Sequence, residues 1–312
     1  MRGRESSCTA AVRHDATYHI RRTMMLDVRD LTKTYRKTVA CDHVSFHLDP
    51  GSVTVLLGPN GAGKSTVIKS AIGFLRYTGS ITVGGYPNKS VEARRILGYI
   101  PEIPSLYPNL TVSEHMEFIA RAYKLTGYKP DIEALFDRFE LSDKRRKYGD
   151  ELSKGMQQKL NICLGLLPRP RMLLLDEPMI GLDPHAIKEL KSLIVELREQ
   201  GCTILVSTHM IDSVDMLWDR AIIMQSGTVR ANLTKGELDA QGETLEELFF
   251  GVTEGIAPDE AEPAAGLDNG AAECGAAKGA SGSAEESGGG PGGHSGASKD
   301  SSAGASNGEK DA

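Results

Sequence analysis

An α/β fold with a largely parallel sheet is predicted from three features of the sequence. Strand-like apolar runs alternate with helix-like text across residues 26–253. One of them, 53-VTVLL-57, empties into a glycine-rich loop that opens a helix-like stretch. Two more, 171-RMLLL-175 and 203-TILVS-207, read as buried strands, each followed by helical text.

Taken in order, Val53–Leu57 is a strand, Lys64–Phe74 a helix, and Ser80–Gly85 a strand ending in a turn. From about 105 to 167 the text turns mostly helical, which predicts an insertion into the α/β core. There, Thr111-Val-Ser-Glu114 matches a capping box, and Met116, Ile119, Ala120 and Tyr123 follow at helical spacing. Asp131 opens a second amphipathic stretch that runs to Phe139. A third is 150-DELSKGMQQKLNICLGLL-167, with Leu160, Cys163, Leu164 and Leu167 on one face and Ser153 where an N-cap belongs. Ala186–Glu199 is a helix, and a short helix is expected near Ile211–Leu217. Arg220–Met224 and Thr228–Ala231 flank a Gln-Ser-Gly turn, a hairpin pattern.

The ends of the chain differ from this core. From Glu254 to Ala312 the composition is Gly, Ala, Ser and Glu, with too little apolar surface to offset the entropy of ordering. This tail is expected to be disordered. It carries three Lys/Arg and eleven Asp/Glu, a net of −8 against −6 for the whole chain, which leaves +2 on residues 1–253. A nearly neutral core gives no charge argument for nucleic acid. Residues 1–24 contain arginines but no apolar signal core, so they read as a flexible extension or an overlong start rather than a targeting peptide. No apolar run reaches the roughly 20 residues a bilayer requires. The five cysteines are scattered without metal-ligand spacing, as suits unpaired thiols in a reducing compartment.

The chemistry lies in three motifs. The loop 58-GPNGAGKST-66 fits G-x-x-x-x-G-K-[ST], between a strand and a helix. The loop residues Gly58, Pro59, Asn60, Gly61, Ala62 and Gly63, with Thr66 at the helix start, are the candidate nucleotide-binding set, and the glycines let backbone N–H groups close around phosphate oxygens. Lys64 would contact the β- and γ-phosphates, and Ser65 would place its hydroxyl on Mg²⁺. The second motif is 172-MLLLDEP-178, an apolar strand ending in two acids. Asp176 is the candidate Mg²⁺ holder and Glu177 the candidate general base. In the third, 207-STHM-210, His209 ends another apolar strand, from which it could bond a γ-phosphate. The capped turn at Ser153 and Gly155 is either an ordinary helix cap or a further anion site, since a helix N-terminus presents free N–H groups.

In this order, phosphate loop, helical insertion, LSKGM, LLLDEP, GLDP and STH, the motifs resemble those of ABC transporter ATPase subunits over roughly residues 26–250. The resemblance implies a RecA-like P-loop NTPase core with a mainly parallel sheet, an antiparallel β subdomain and a helical insertion subdomain, all within residues 25–253. It implies ATP and Mg²⁺ as cofactors. It assigns Ser153 and Gly155 to the nucleotide of a second ATPase subunit, Tyr35 to stacking on adenine, and Asp183 to the loop that couples the two sites. Two departures stand out. Lys154 and Met156 replace the usual Gly and Gln of the LSGGQ pattern, and Glu102 stands where the family has a Mg²⁺-touching glutamine. A carboxylate there still binds Mg²⁺ but donates no hydrogen bond. Both departures, with 244-TLEELFFG-251, resemble the branch paired with ABC-2-type exporter permeases. The expected protein is then a homodimeric ATPase that drives a separate integral membrane permease, peripheral on the cytoplasmic face of the plasma membrane. The permease would dock between about 102 and 125. The alternative is a soluble ABC-type ATPase acting on nucleic acid or ribosomes. Such proteins usually carry two ATPase units or a long coiled coil, and neither is seen here. A GTPase is disfavoured because 88-NKSV-91 lacks the guanine-reading acid.

Overall fold

In the computed structural model, which describes residues 24–214 and 217–254, two sheets pack about one shared core, and the larger sheet has a second core on its other face. The strands β1 (Leu26–Tyr35) and β2 (Thr38–Leu48) form an antiparallel hairpin. Along β1, buried Leu26, Val28 and Leu31 are interleaved with more exposed residues, the pattern of a sheet wetted on one face. Next, β3 (Val53–Leu57) leads through the glycine loop into α1 (Lys64–Ala71). This helix stops short of the predicted Phe74, because Gly73 turns the chain at a positive φ of 81°. Returning to the hairpin, β4 (Thr78–Val83) and β5 (Tyr86–Pro87) complete a four-stranded antiparallel sheet in the order β2-β1-β4-β5. The hairpin went unrecognised as two long strands in the sequence, since its alternation is broken by bulges between Val28 and Thr34.

The chain continues through α2 (Val91–Ile96) into β6 (Leu97–Ile100), then α3 (Val112–Ala122), α4 (Lys129–Arg138) and α5 (Lys154–Leu166). The capping box at Thr111 and Glu114 forms, with the Thr111 hydroxyl accepting from the Glu114 N–H. Then come β7 (Met172–Asp176), α6 (Pro184–Glu199), β8 (Thr203–Thr208), β9 (Arg220–Gln225), β10 (Thr228–Thr234), α7 (Lys235–Gln241) and α8 (Leu245–Glu254). The second sheet has the order β10-β9-β3-β8-β7-β6, parallel except for β10.

This sheet separates two hydrophobic cores. From β3, Val53, Val55 and Leu57 point into the core beneath α3–α6, and Leu56 into the core with α1 and the hairpin. β7 divides in the same way, with Leu173 and Leu175 on one side and Met172 and Leu174 on the other. Burial on both faces is why these strands are apolar at nearly every position.

Two sequence expectations are corrected. The expected helix at Ile211–Leu217 is a single 3₁₀ turn, Ile211–Ser213, with residues 215–216 outside the described set. The turn ends at Val214, whose backbone leaves the helical region at φ −121°. Helix α5 is buried beyond the single predicted apolar face. It buries Gln158, Lys159 and Asn161 as well as Leu160, Ile162, Cys163 and Leu166, because it packs against β6, α3 and α4 together. The expected disordered tail lies outside the described residues, except for Glu254 at the end of α8, and the expected extension does so apart from Met24.

Candidate active site

Parallel strands end at the same edge, so β3, β6, β7 and β8 deliver their C-terminal residues together. In register, Leu57 pairs with Thr208, Asp176 with Ser207, and Ile100 with Leu175. After β3 the chain must turn tightly into α1. Gly63, the N-cap, has φ 105°, and a Cβ on it would sit 2.5 Å from the Ala40 carbonyl oxygen. A side chain is therefore excluded both by conformation and by space. The loop wraps a cavity of about 440 Å³, lined by Ala40, Asn60, Gly61, Ala62, Gly63, Lys64, Ser65, Thr66, Glu102, Glu177, Ile180 and His209. Gly58 and Pro59 do not line it. Their carbonyls lie behind, accepting from Lys64 Nζ at 2.6 and 3.3 Å.

The two acids of β7 reach the same loop by different routes. Asp176 ends the strand, is almost fully buried, and accepts through Oδ1 from Ser65 Oγ at 3.0 Å and Ser207 Oγ at 2.6 Å. Alternation would send Glu177 to the other face. Instead its backbone turns to φ 47°, a left-handed conformation rare for a non-glycine residue, held by its N–H donating to the Ser207 carbonyl at 3.0 Å. The Glu177 carboxylate then lies 3.5 Å from Lys64 Nζ and 2.9 Å from His209 Nδ1 through one oxygen, Oε1. Burial, with Asp176 and Glu102 adding to it, holds the Tyr99 hydroxyl well above its ordinary pKa, so it stays neutral beside the acids. The thiol of Cys41, which backs the loop against the Gly63 carbonyl, is pushed by burial up to about 12.

The residues suit Mg²⁺. Oδ2 of Asp176 is buried and makes no hydrogen bond within the protein, while Ser65 is already beside its partner oxygen. These are the hard oxygen donors that Mg²⁺ prefers. Among the described residues no cluster of three or more His, Cys, Asp or Glu could by itself hold a metal. A Mg²⁺ at this point would rely on one or two protein oxygens and on phosphate, its usual mode in nucleotide sites.

Comparison with known proteins settles the family. The ABC transporter family matches residues 41–180. The chain is 36% identical over 238 residues to the ABC-type transporter ATP-binding protein EcsA of Bacillus subtilis (strain 168), covering 73% of this chain and 96% of that protein. The chain is an ABC transporter ATP-binding subunit. It is similar also to the SkfA peptide export ATP-binding protein SkfE of the same strain, at 32% identity over 72% of this chain and 95% of that one. To the lantibiotic transport ATP-binding protein SrtF of Streptococcus pyogenes it is 34% identical, over 72% and 96%. A solved ATP-binding subunit of an ABC transporter superimposes with a TM-score of 0.69 at 35% identity, covering 73% of this chain and 99% of that one. As a member of this family the protein is an ATPase.

Not every expected residue of the ABC subunit enters the cavity. Tyr35 lies at the hairpin tip, 43% exposed, with Lys33 Nζ 4.8 Å from its ring centre. Ser153 caps α5 by accepting from the Met156 N–H at 3.3 Å, and its surroundings are open to solvent. Gly155 packs beside Gly181, whose carbonyl a Cβ would meet at 3.0 Å. Asp183 caps α6 through the Ala186 N–H at 2.8 Å, and Lys159 Nζ lies 2.9 Å from it. The Ala186 N–H and then the Lys159 ammonium hold the Asp183 carboxyl below its ordinary range. Sequence reasoning passed over Ser207, which anchors both acids. Its signal was present as a hydroxyl at the end of an apolar strand, directly before Thr-His.

Proposed function

We propose that this subunit binds Mg-ATP in the 440 Å³ cavity and hydrolyses it to drive an ABC-2-type exporter permease. The observation that carries the reading is the convergence of Lys64, Ser65, Asp176, Glu177 and His209 around one phosphate-sized loop. Lys64 exchanges its carbonyl partners for β- and γ-phosphate oxygens. The oxygens of Ser65 and Asp176, with Glu102 lining the same cavity, would hold Mg²⁺, which would neutralise charge on the phosphates. Glu177 takes the proton of the attacking water, and His209, which lines the cavity, orients Glu177 through Nδ1 and would bond the γ-phosphate. Tyr35 stacks on adenine from the hairpin tip.

Ser153 and Gly155 serve a second subunit's nucleotide, so two copies sandwich two ATP. Support comes from the start of α5, where Ser153 and Lys154 are exposed and do not line this chain's cavity. Nucleotide binding across the pair then shifts the population toward a closed dimer, which moves the permease. Export is favoured by the relatives, which are described as serving peptide export and lantibiotic transport. Among the described residues no helix is long and apolar enough to cross a membrane. Docking near residues 102–125, on the cytoplasmic face of the plasma membrane, is supported by exposed Ile103, Tyr107, Phe118 and Tyr123, with Phe74 beside them.

The test is capture from native membranes. The Glu177→Gln subunit, tagged and held with Mg-ATP, is expected to retain a stoichiometric polytopic membrane protein after gentle solubilisation. Recovery of ribosomal or nucleic-acid partners with nothing from the membrane would overturn the exporter reading.

A further inference from the structure

The catalytic reading leaves three buried polar side chains of α5 unused. Gln158, Lys159 and Asn161 are 2%, 7% and 6% exposed. A buried amide must find partners, and helix backbone groups are already paired along the helix. Gln158 Nε2 donates to the Pro178 carbonyl at 3.2 Å, and Asn161 Nδ2 to the Pro101 carbonyl at 2.9 Å. Pro178 directly follows Glu177, and Pro101 directly precedes Glu102. Each amide therefore grips the backbone next to one carboxylate of the cavity. The two grips are joined, since Asn161 Nδ2 also lies 3.3 Å from Gln158 Oε1. Lys159 holds the far end of the Glu177 loop through Asp183 and is braced by Glu140 at 3.0 Å. Proline offers no N–H, so these loops have fewer backbone bonds with which to fix themselves.

We propose that Gln158 and Asn161 are positioning residues for hydrolysis, tying the loops that carry Glu177 and Glu102 to the helix that begins at Ser153. A helix is a rigid element. A displacement at its N-terminus is carried to both loops through bonds no longer than 3.2 Å. Engagement of Ser153 by a second subunit's nucleotide would thereby set the acids of this subunit's own site. The inference rests on the reading of Glu177 as general base.

The test uses near-isosteric variants of the full chain, Gln158→Met and Asn161→Leu, which remove the donor without adding a buried charge. ATP affinity is read by direct nucleotide binding, and hydrolysis at saturating ATP, each alone and in the Glu177→Gln background. Each variant is expected to lower kcat about tenfold or more while ATP affinity stays within about twofold. The double variant Gln158→Met/Asn161→Leu should lose little more than the worse single, as residues of one network do. In the Glu177→Gln background, Gln158→Met should cost little further, because the group it positions is gone. Unchanged kcat, a matching loss of ATP binding, or a full additive loss on top of Glu177→Gln each overturn the proposal. A variant that binds no ATP counts as a matching loss. Failure of the underlying reading is seen separately, as near-normal hydrolysis by Glu177→Gln alone.

Discussion

The cavity at the sheet's edge and the start of α5 are both built to meet anions, yet they differ in completeness. Around the cavity the chain supplies an ammonium, two serine hydroxyls, two buried acids and a histidine from three separate segments. At α5 it supplies one capping serine and open N–H groups, with Lys154 beside them. The first is a whole site and the second a half. An exposed helix start gains little alone, because water competes for its donors and screens its dipole. It becomes specific when another surface closes over it.

The comparison breaks most clearly at Glu177. Glu177→Gln should slow steady-state hydrolysis by about a hundredfold or more while ATP still binds, as loss of a general base does; near-normal turnover would remove the acid from its role. Lys64→Ala should weaken ATP binding by roughly a hundredfold, measured by equilibrium binding, since charge-assisted bonds to phosphate are lost and Glu177 loses its cation. Ser153→Ala sharpens the contrast. ATP affinity of the isolated subunit should be unchanged, but hydrolysis should fall about tenfold, alongside a cap loss of about 1 kcal/mol in a melting curve. A drop in the isolated subunit's own affinity would place Ser153 in the first site instead.

Smaller effects follow at the joint between the two regions. Asp183→Asn keeps a good N-cap but loses the contact with Lys159. Because the Asp183 carboxyl is held below its ordinary pKa, its contribution is fully present above about pH 4 and fades as pH falls through the lowered value. Wild type and variant should therefore differ in denaturant midpoint at neutral pH and converge in acid. Ending the chain after Gly255 should leave hydrolysis unchanged within error. Loss of activity there would show that the Gly/Ser/Glu-rich segment contributes to the site.

Legibility followed sequence distance. Caps and apolar runs depend on neighbours, and the bounds of β3 and the Thr111 and Ser153 caps were readable from the text. The burial of α5 was not, because a polar residue such as Asn161 looks solvent-facing until its partner, sixty positions away, is known. The long hairpin was missed for a related reason. Its bulges break the two-residue period, and Asp30 and His43 adopt positive φ within it.

By itself the sequence determined the order of the motifs, the class of the fold and the chemistry of each candidate group, since residue type and spacing carry all three. Only the tertiary structure decided which groups meet. Ser65 bonds Asp176 across 111 positions because β3 and β7, parallel and both paired with β8, end at the same edge of the sheet. Glu177 turns back toward Lys64 because the Ser207 carbonyl holds its N–H in a conformation that its own residue type disfavours. Such contacts are set by packing between distant segments, and no local pattern records them.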